Sequence, residues 1–371
     1  MYELQQLPIP LLVWYGENAR KLPWREDPTP YRVWLSEVML QQTRVAAVLD
    51  HYARFLSAAP TVEDLAALPE DELMKLWQGL GYYSRARNLQ KAARQVVERH
   101  GGVFPNTYND IRALAGVGDY TAGAISSIAF GLPTPAVDGN VLRVVSRICA
   151  DEGDILSPAT KKRYTQALAE IIPVKAPGDF NQAMMELGAT VCLPNGAPLC
   201  EKCPARDFCR AHLEGLTDRL PVKAPKKARK IESRTVYLLF YEDKVALRRR
   251  PEKGLLAGLW EFPNELETPP QSALRADSSP ARGEPGDPCL PLWGRWPSEA
   301  RSERAPTRVA AGRHIFSHIE WHMTALSAER SSPDLPEGWV WADRTELRDK
   351  YAIPSAFDFV KEAVEERLGR F

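Results

Sequence analysis

Residues 114–125 read Leu-Ala-Gly-Val-Gly-Asp-Tyr-Thr-Ala-Gly-Ala-Ile. The residues from Thr107 up to this stretch look helical, and so do those after Tyr120, which leaves a Gly-Val-Gly turn between two helices. Gly116 and Gly118 allow the positive φ and the close backbone approach of such a corner. The N–H groups opening the second helix then have no intrahelical partner, and with the positive helix end they suit a phosphate. A G-x-G between helices is equally an ordinary tight turn, so its neighbours must decide.

Outward from the turn, the first two hundred residues keep a helical character with no alternating strand pattern. Thr61–Asp64 (TVED) is a capping-box pattern ahead of Leu65 and Leu68. A helix from about Ser84 to His100 stops at Gly101–Gly102. Trp34, Val38, Val45, Leu49, Tyr52 and Leu56 recur every three to four residues and predict one apolar helix face. The whole chain has 371 residues, more than one core usually serves, and 44% hydrophobic composition, which argues against global disorder. Forty-eight Lys plus Arg balance forty-eight Asp plus Glu. A net charge of zero gives no global attraction for a polyanion, so any such contact must come from local basic patches. Met1–Pro10 lacks a basic flank followed by an apolar run, and no stretch of about 18 uncharged apolar residues occurs.

Three further strings carry chemistry. Pro135–Arg143 reads PAVDGNVLR, where Asp138 is placed to cap a helix ahead of Val141. Trp34–Thr43 reads WLSEVMLQQT, with Glu37 among Trp34, Leu35, Val38, Met39 and Leu40. Composition alone would put that glutamate on a surface. Desolvation by these neighbours would instead raise its pKa and let it hold a proton near neutrality. Cys192, Cys200, Cys203 and Cys209 form C-x7-C-x2-C-x5-C. Four thiolates within eighteen residues can converge on zinc or on an iron–sulfur cluster, though zinc ribbons usually offer two C-x2-C knuckles and this loop has one. Cys149 and Cys289 stand outside the set, and Cys149 reads as a core thiol behind Val144, Val145 and Ile148.

After Leu213 the character changes. Arg219–Arg234 holds seven Lys or Arg, one Glu and two prolines, which predicts a basic extended connector. Thr235–Tyr241 (TVYLLFY) and Val245–Leu247 predict a hairpin opening a sheet domain. Residues from about Thr268 to Thr307 are rich in Pro, Ser, Arg and Gly and predict a long surface loop. Ser355–Leu368 predicts a terminal helix.

Together these strings resemble the MutY adenine glycosylases of the endonuclease III superfamily over nearly the whole chain. The resemblance implies a multi-domain fold. Its parts are an all-α helix-hairpin-helix glycosylase domain with an iron–sulfur loop (1–213), a basic connector (214–232) and an α+β Nudix-like lesion-recognition domain (233–371). It implies one 4Fe–4S cluster on the four cysteines, although the superfamily's first gap is one residue shorter; Asn195–Gly196 is a turn able to absorb the extra residue. It implies that the cluster braces a loop whose Lys202, Arg206 and Arg210 approach DNA phosphate, an alternative being a solvated charge set. The implied substrate is duplex DNA containing adenine opposite 8-oxoguanine, met by a monomer in the cytoplasm at the nucleoid.

Adenine leaves a sugar poorly unless a ring nitrogen is protonated, and bond breaking builds positive charge on C1′. The resemblance gives Glu37 the acid role at N7 and Asp138 the role of stabilising the sugar, with Tyr120 and Asn140 orienting them. Bifunctional relatives carry a lysine where this chain has Tyr120, and a phenol forms no Schiff base, so strand cleavage by that route is not expected. Base flipping is implied, with Gln42 and Tyr82 filling the gap. Arg20, Leu22, Trp24, Arg25, Leu40, Thr43 and Leu80 match pocket-lining positions, although Leu40 and Leu80 also suit a core. In the second domain, LLAGLWEFP (255–263) and RHIFSHIEWH (313–322) carry the likeness. Phe316, Ser317 and His318 match the loop that inspects 8-oxoguanine; alternatively Phe316 is a core aromatic and His318 a surface one. The glutamate-rich metal helix of a working Nudix hydrolase is missing after Phe262, which speaks against pyrophosphatase activity. A pyrimidine glycosylase-lyase and a non-catalytic iron–sulfur DNA-binding protein are the rival readings, and Tyr120 and the second domain speak against the former.

Overall fold

The structure is a computed structural model that describes residues 2–225, 228–267 and 306–371. Packing divides the chain into two compact units. One is Met1–Leu68 with Ser84–Lys226, and the other is Pro69–Tyr83 with Lys227–Phe371. This differs from cuts at 213 and 232. Residues after the cysteine loop stay with the first unit, where Leu220 is buried and the Ile155 N–H donates to the Val222 carbonyl at 3.1 Å. The helix Glu70–Trp77 packs with the second unit. There Lys75 Nζ donates to the carbonyls of Leu347 and Tyr351 and Gln78 donates to that of Ile353. Such carbonyls need donors, and a helix supplied from the other half of the sequence provides them.

The first unit is helical. Thr61 closes its capping box with Asp64, and the helix Ser84–His100 ends at the glycine pair as the sequence predicts. The apolar recurrence from Trp34 to Leu56 spans two helices, Pro30–Leu40 and Val45–Ala58, rather than one. The break lies at residues 41–44, where Gln42 has φ 59°, and Leu49 is exposed. Spacing alone misses this break because the register of apolar residues resumes after it. At the centre lies Gly139–Ile148, whose Val141, Val144, Val145 and Ile148 are buried against Leu7, Leu11, Phe180, Met184 and Leu187.

Among the described residues the second unit is built on a mixed sheet of seven strands: β1 (Lys230–Tyr241), β2 (Lys244–Arg249), β3 (Trp260–Glu261), β4 (Asn264–Leu266), β5 (Thr307–Ile315), β6 (Ile319–Glu329) and β7 (Trp339–Ala342). The path runs β3-β2-β1-β6-β5, with β4 also on β1 and β7 also on β2. Tyr241 pairs with Lys244, so the predicted hairpin turns at Glu242–Asp243. The parallel pairing of β1 with β6 joins distant parts of the chain, which local patterning does not reveal. The predicted terminal helix is a 3-10 turn, Ser355–Val360, continuing as Lys361–Leu368. Most of the predicted surface loop, 268–305, lies outside the described residues, and Thr307 already belongs to β5.

Candidate active site and cysteine loop

Four helical segments of the first unit bring the two candidate acids to one cleft of about 910 Å³. Glu37 comes from Pro30–Leu40, in the stretch Tyr31–Met39 where only half-buried Arg32 is not buried. It is 6% exposed, and burial pushes its carboxyl up to about 7. The Tyr120 hydrogen bond and Arg25 oppose this rise, and the negative charge of Asp138 adds to it. Tyr120 enters from Asp119–Phe130, and its hydroxyl donates to Glu37 Oε2. Burial and the adjoining carboxylates hold the phenol well above its ordinary value.

Asp138 is the N-cap of Gly139–Ile148, so the capping geometry and its place in the cleft are the same fact. Its Oδ1 accepts from the Val141 N–H at 2.8 Å and its Oδ2 from Asn140 Nδ2 at 2.8 Å. Desolvation raises its pKa, while these donors and Arg143 pull it down. Asn140 in turn accepts from Arg143 Nη2 at 2.9 Å. The helix Pro177–Thr190 crosses here at Gly188, where a Cβ would stand 2.5 Å from the Asn140 Cβ. Only glycine lets the two helices approach this closely, and that approach fixes Asn140.

Of the other predicted residues, Arg20, Leu22, Trp24, Arg25, Leu40, Gln42 and Thr43 all line this cleft. Glu186 was not read from the sequence. Only 1% exposed, it accepts from Arg20 Nε at 2.6 Å and Arg25 Nη2 at 2.9 Å. Its hydrogen bonds and ion pairs outweigh burial and hold its carboxyl below the usual range. Met185 and Gln182 on the same helix also line the cleft and were likewise missed. Leu80 and Tyr82 lie in the second unit, Leu80 buried and Tyr82 exposed with φ 45°. Phe316, Ser317 and His318 join β5 to β6 in that unit. Phe316 is half-buried against Trp321, with ring centroids 4.8 Å apart, whereas Ser317 and His318 are exposed.

At the hairpin, Gly116 has φ 73° and a Cβ there would meet the Asn88 Cβ at 2.6 Å. Gly118 is the N-cap of the following helix at φ −92°, with open space where a Cβ would stand. Of the two glycines, Gly116 is the one the turn requires.

The four cysteines line one apolar void beside Val144, Ile148, Leu187 and Val191. None of the four is joined in a disulfide. Burial lifts Cys203 to about 12 and Cys209 to about 11, with the neighbouring sulfurs adding to the rise. Arg147 Nη1 donates to Cys192 Sγ at 3.3 Å, and Arg143 Nε donates to the Cys192 carbonyl at 2.8 Å. Residues 194–197 bulge into solvent with Gly196 at φ 74°, and Leu199 N–H closes back on the Val191 carbonyl at 2.9 Å. None of residues 194–197 lines the void. Lys202, Arg206 and Arg210 are exposed; Arg206 pairs with Glu201 and Arg210 with Glu214.

A helical corner, a cleft lined by two acids and a four-cysteine loop suit a base-excision glycosylase, and residues 35–174 match the HhH-GPD superfamily of base excision DNA repair proteins. Residues 235–363 match the NUDIX domain. A thermostable thymine-DNA glycosylase is similar in structure at a TM-score of 0.53 and 28% identity, covering 57% of this chain and 98% of that one. The chain belongs to the adenine DNA glycosylase family. It is 42% identical to the adenine DNA glycosylase of Rattus norvegicus, covering 96% of this chain and 77% of the relative. For that of Homo sapiens the figures are 37%, 91% and 70%, and for that of Schizosaccharomyces pombe 31%, 93% and 86%.

Proposed function

We propose that this chain hydrolyses the N-glycosidic bond of adenine opposite 8-oxoguanine or guanine in duplex DNA, as a monofunctional monomer. The observation that carries the reading is a buried acid, pushed up to about 7, that lines one cleft together with a second carboxylate whose negative charge adds to the rise. Glu37 donates its proton to N7 of the flipped adenine and so makes the base a better leaving group. The carboxylate of Asp138, aimed by Asn140 and the Val141 N–H, stabilises the positive sugar. Glu37, now a carboxylate, accepts from Tyr120 and takes a proton from the attacking water. Gln42 and Tyr82 fill the vacated stack, while Phe316, Ser317 and His318 inspect the opposite base.

The cysteines fit a 4Fe–4S cluster. Their sulfurs surround one void, yet among the described residues no three His, Cys, Asp or Glu side chains could hold a single metal ion. Cys192, Cys200, Cys203 and Cys209 would hold the cluster, which braces the loop and supplies no proton to the substrate. Among the described residues no helix is long and apolar enough to cross a membrane.

The test is strand nicking on a duplex with adenine opposite 8-oxoguanine, with and without hot alkali. Cleavage only after alkali is expected, because position 120 offers a phenol. Cleavage without alkali would overturn the monofunctional reading and direct attention to Lys161, the one lysine among the described residues lining the cleft.

A further inference from the structure

The Tyr120 hydroxyl has two acceptors within reach and one proton to give. Besides Glu37 Oε2, it stands 3.1 Å from Met185 Sδ. Met185 lies on Pro177–Thr190, half-buried in the wall of the cleft, one residue before Glu186. A thioether accepts a hydrogen bond but donates none, so its contact with the phenol has one polarity. The contact with Glu37 varies with charge. When Glu37 is a carboxylate, the phenol donates to it. When Glu37 carries a proton aimed at the base, its other oxygen is a neutral carbonyl, a weaker acceptor than the carboxylate, and the phenol proton is shared with a second acceptor.

We propose that Met185 is a positioning residue for the acid step, accepting the Tyr120 proton whenever Glu37 is protonated and releasing it when Glu37 becomes a carboxylate. This rests on the acid role proposed for Glu37. The phenol proton swings from sulfur to carboxylate as Glu37 gives up its own proton, so no proton is gained or lost by the pair beyond the one transferred to the base. Both charge states of the acid then keep a fully bonded phenol, in surroundings where an unmet hydroxyl is costly. The other ionisable groups acting on Glu37 are Asp138, at the start of Gly139–Ile148, and Arg25, and neither is altered by changing Met185.

The test is the pH profile of single-turnover adenine release by the full-length protein. Wild type should lose rate as pH rises through about 7. Met185→Leu keeps volume and apolarity but removes the acceptor, so the protonated acid is disfavoured and the alkaline limb should move down by up to about one pH unit. Met185→Gln restores an acceptor, its amide oxygen, and should return the limb toward wild type. In a Tyr120→Phe background the Leu substitution should no longer move the limb. An unmoved limb with a uniformly lower rate in Met185→Leu means a packing role and overturns the proposal. So does a shift that persists without the phenol. If wild type itself releases no adenine at any pH, it is the acid role of Glu37 that fails instead.

Discussion

At the residue scale, the same burial that suits Glu37 to its proposed role works against folding. Its native pKa of about 7 lies above the ordinary 4.5. Between these values the native chain holds a proton that the unfolded chain has released. Stability is therefore fully present below the lower value and is lost as pH rises through the higher one. Glu37→Gln removes the titration. It should abolish adenine release, a loss of at least about a hundredfold. It should also stabilise the protein above pH 7 by an amount on the order of 3 kcal/mol, a gain that vanishes in acid. Thermal melting of both proteins at acid and mildly alkaline pH, beside an excision assay, checks the pair of effects. Normal turnover by the variant would remove Glu37 from the mechanism. The burial of Glu37 has a local origin, because its apolar neighbours adjoin it in sequence, and the cap at Asp138 is a local device, but composition alone would have left Glu37 on a surface and only the family resemblance singled the two out. Glu186 was not legible, since its partners Arg20 and Arg25 lie more than 150 residues away and nothing near it signals two guanidinium groups.

At the element scale, the hairpin shows why a motif's letters differ in weight. Gly116 sits at positive φ against the Asn88 side chain, while Gly118 is an extended cap facing open space. Gly116→Ala should cost about 1–2 kcal/mol for the left-handed backbone alone and more for the contact. Gly118→Ala should cost less, about 0.5–1 kcal/mol as a cap change. Denaturant midpoints measure the difference, and equal losses would show that the turn is not held as described. The elements themselves were mostly readable. The capping box at Thr61, the stop at Gly101–Gly102 and the β1–β2 hairpin depend on neighbours in sequence. The break at residues 41–44 and the allegiance of Glu70–Trp77 depend on tertiary partners, and periodicity carries no trace of either.

At the scale of the whole molecule, zero net charge means that affinity for DNA must come from local contacts. Binding should still weaken as salt rises, each neutralised phosphate contributing a slope of about −0.9 in log–log form. A filter-binding series that stayed flat would exclude phosphate contacts by the hairpin and the basic segment.

If the proposed reading holds, the two units divide the recognition, and a single substitution can test this. The cleft that would take adenine is formed wholly by the first unit, and Ser317 and His318 belong to the second. The Phe316 N–H donates to the Ile319 carbonyl at 2.8 Å, and the Phe316 ring rests between His314 and Trp321, so the loop is held by its base while its tip stays exposed. 8-Oxoguanine offers an N–H at position 7 and a new oxygen at position 8 where guanine offers an acceptor, a difference that a serine hydroxyl can read. Ser317→Ala should therefore weaken binding to adenine opposite 8-oxoguanine by about tenfold, the low end of one lost base contact. Adenine opposite guanine should be processed as before, because no altered edge is read there, and the melting temperature should not move. Equal losses on the two duplexes would show instead that Ser317 supports the protein's general grip on DNA, and the inspection role would pass to other residues of the second unit.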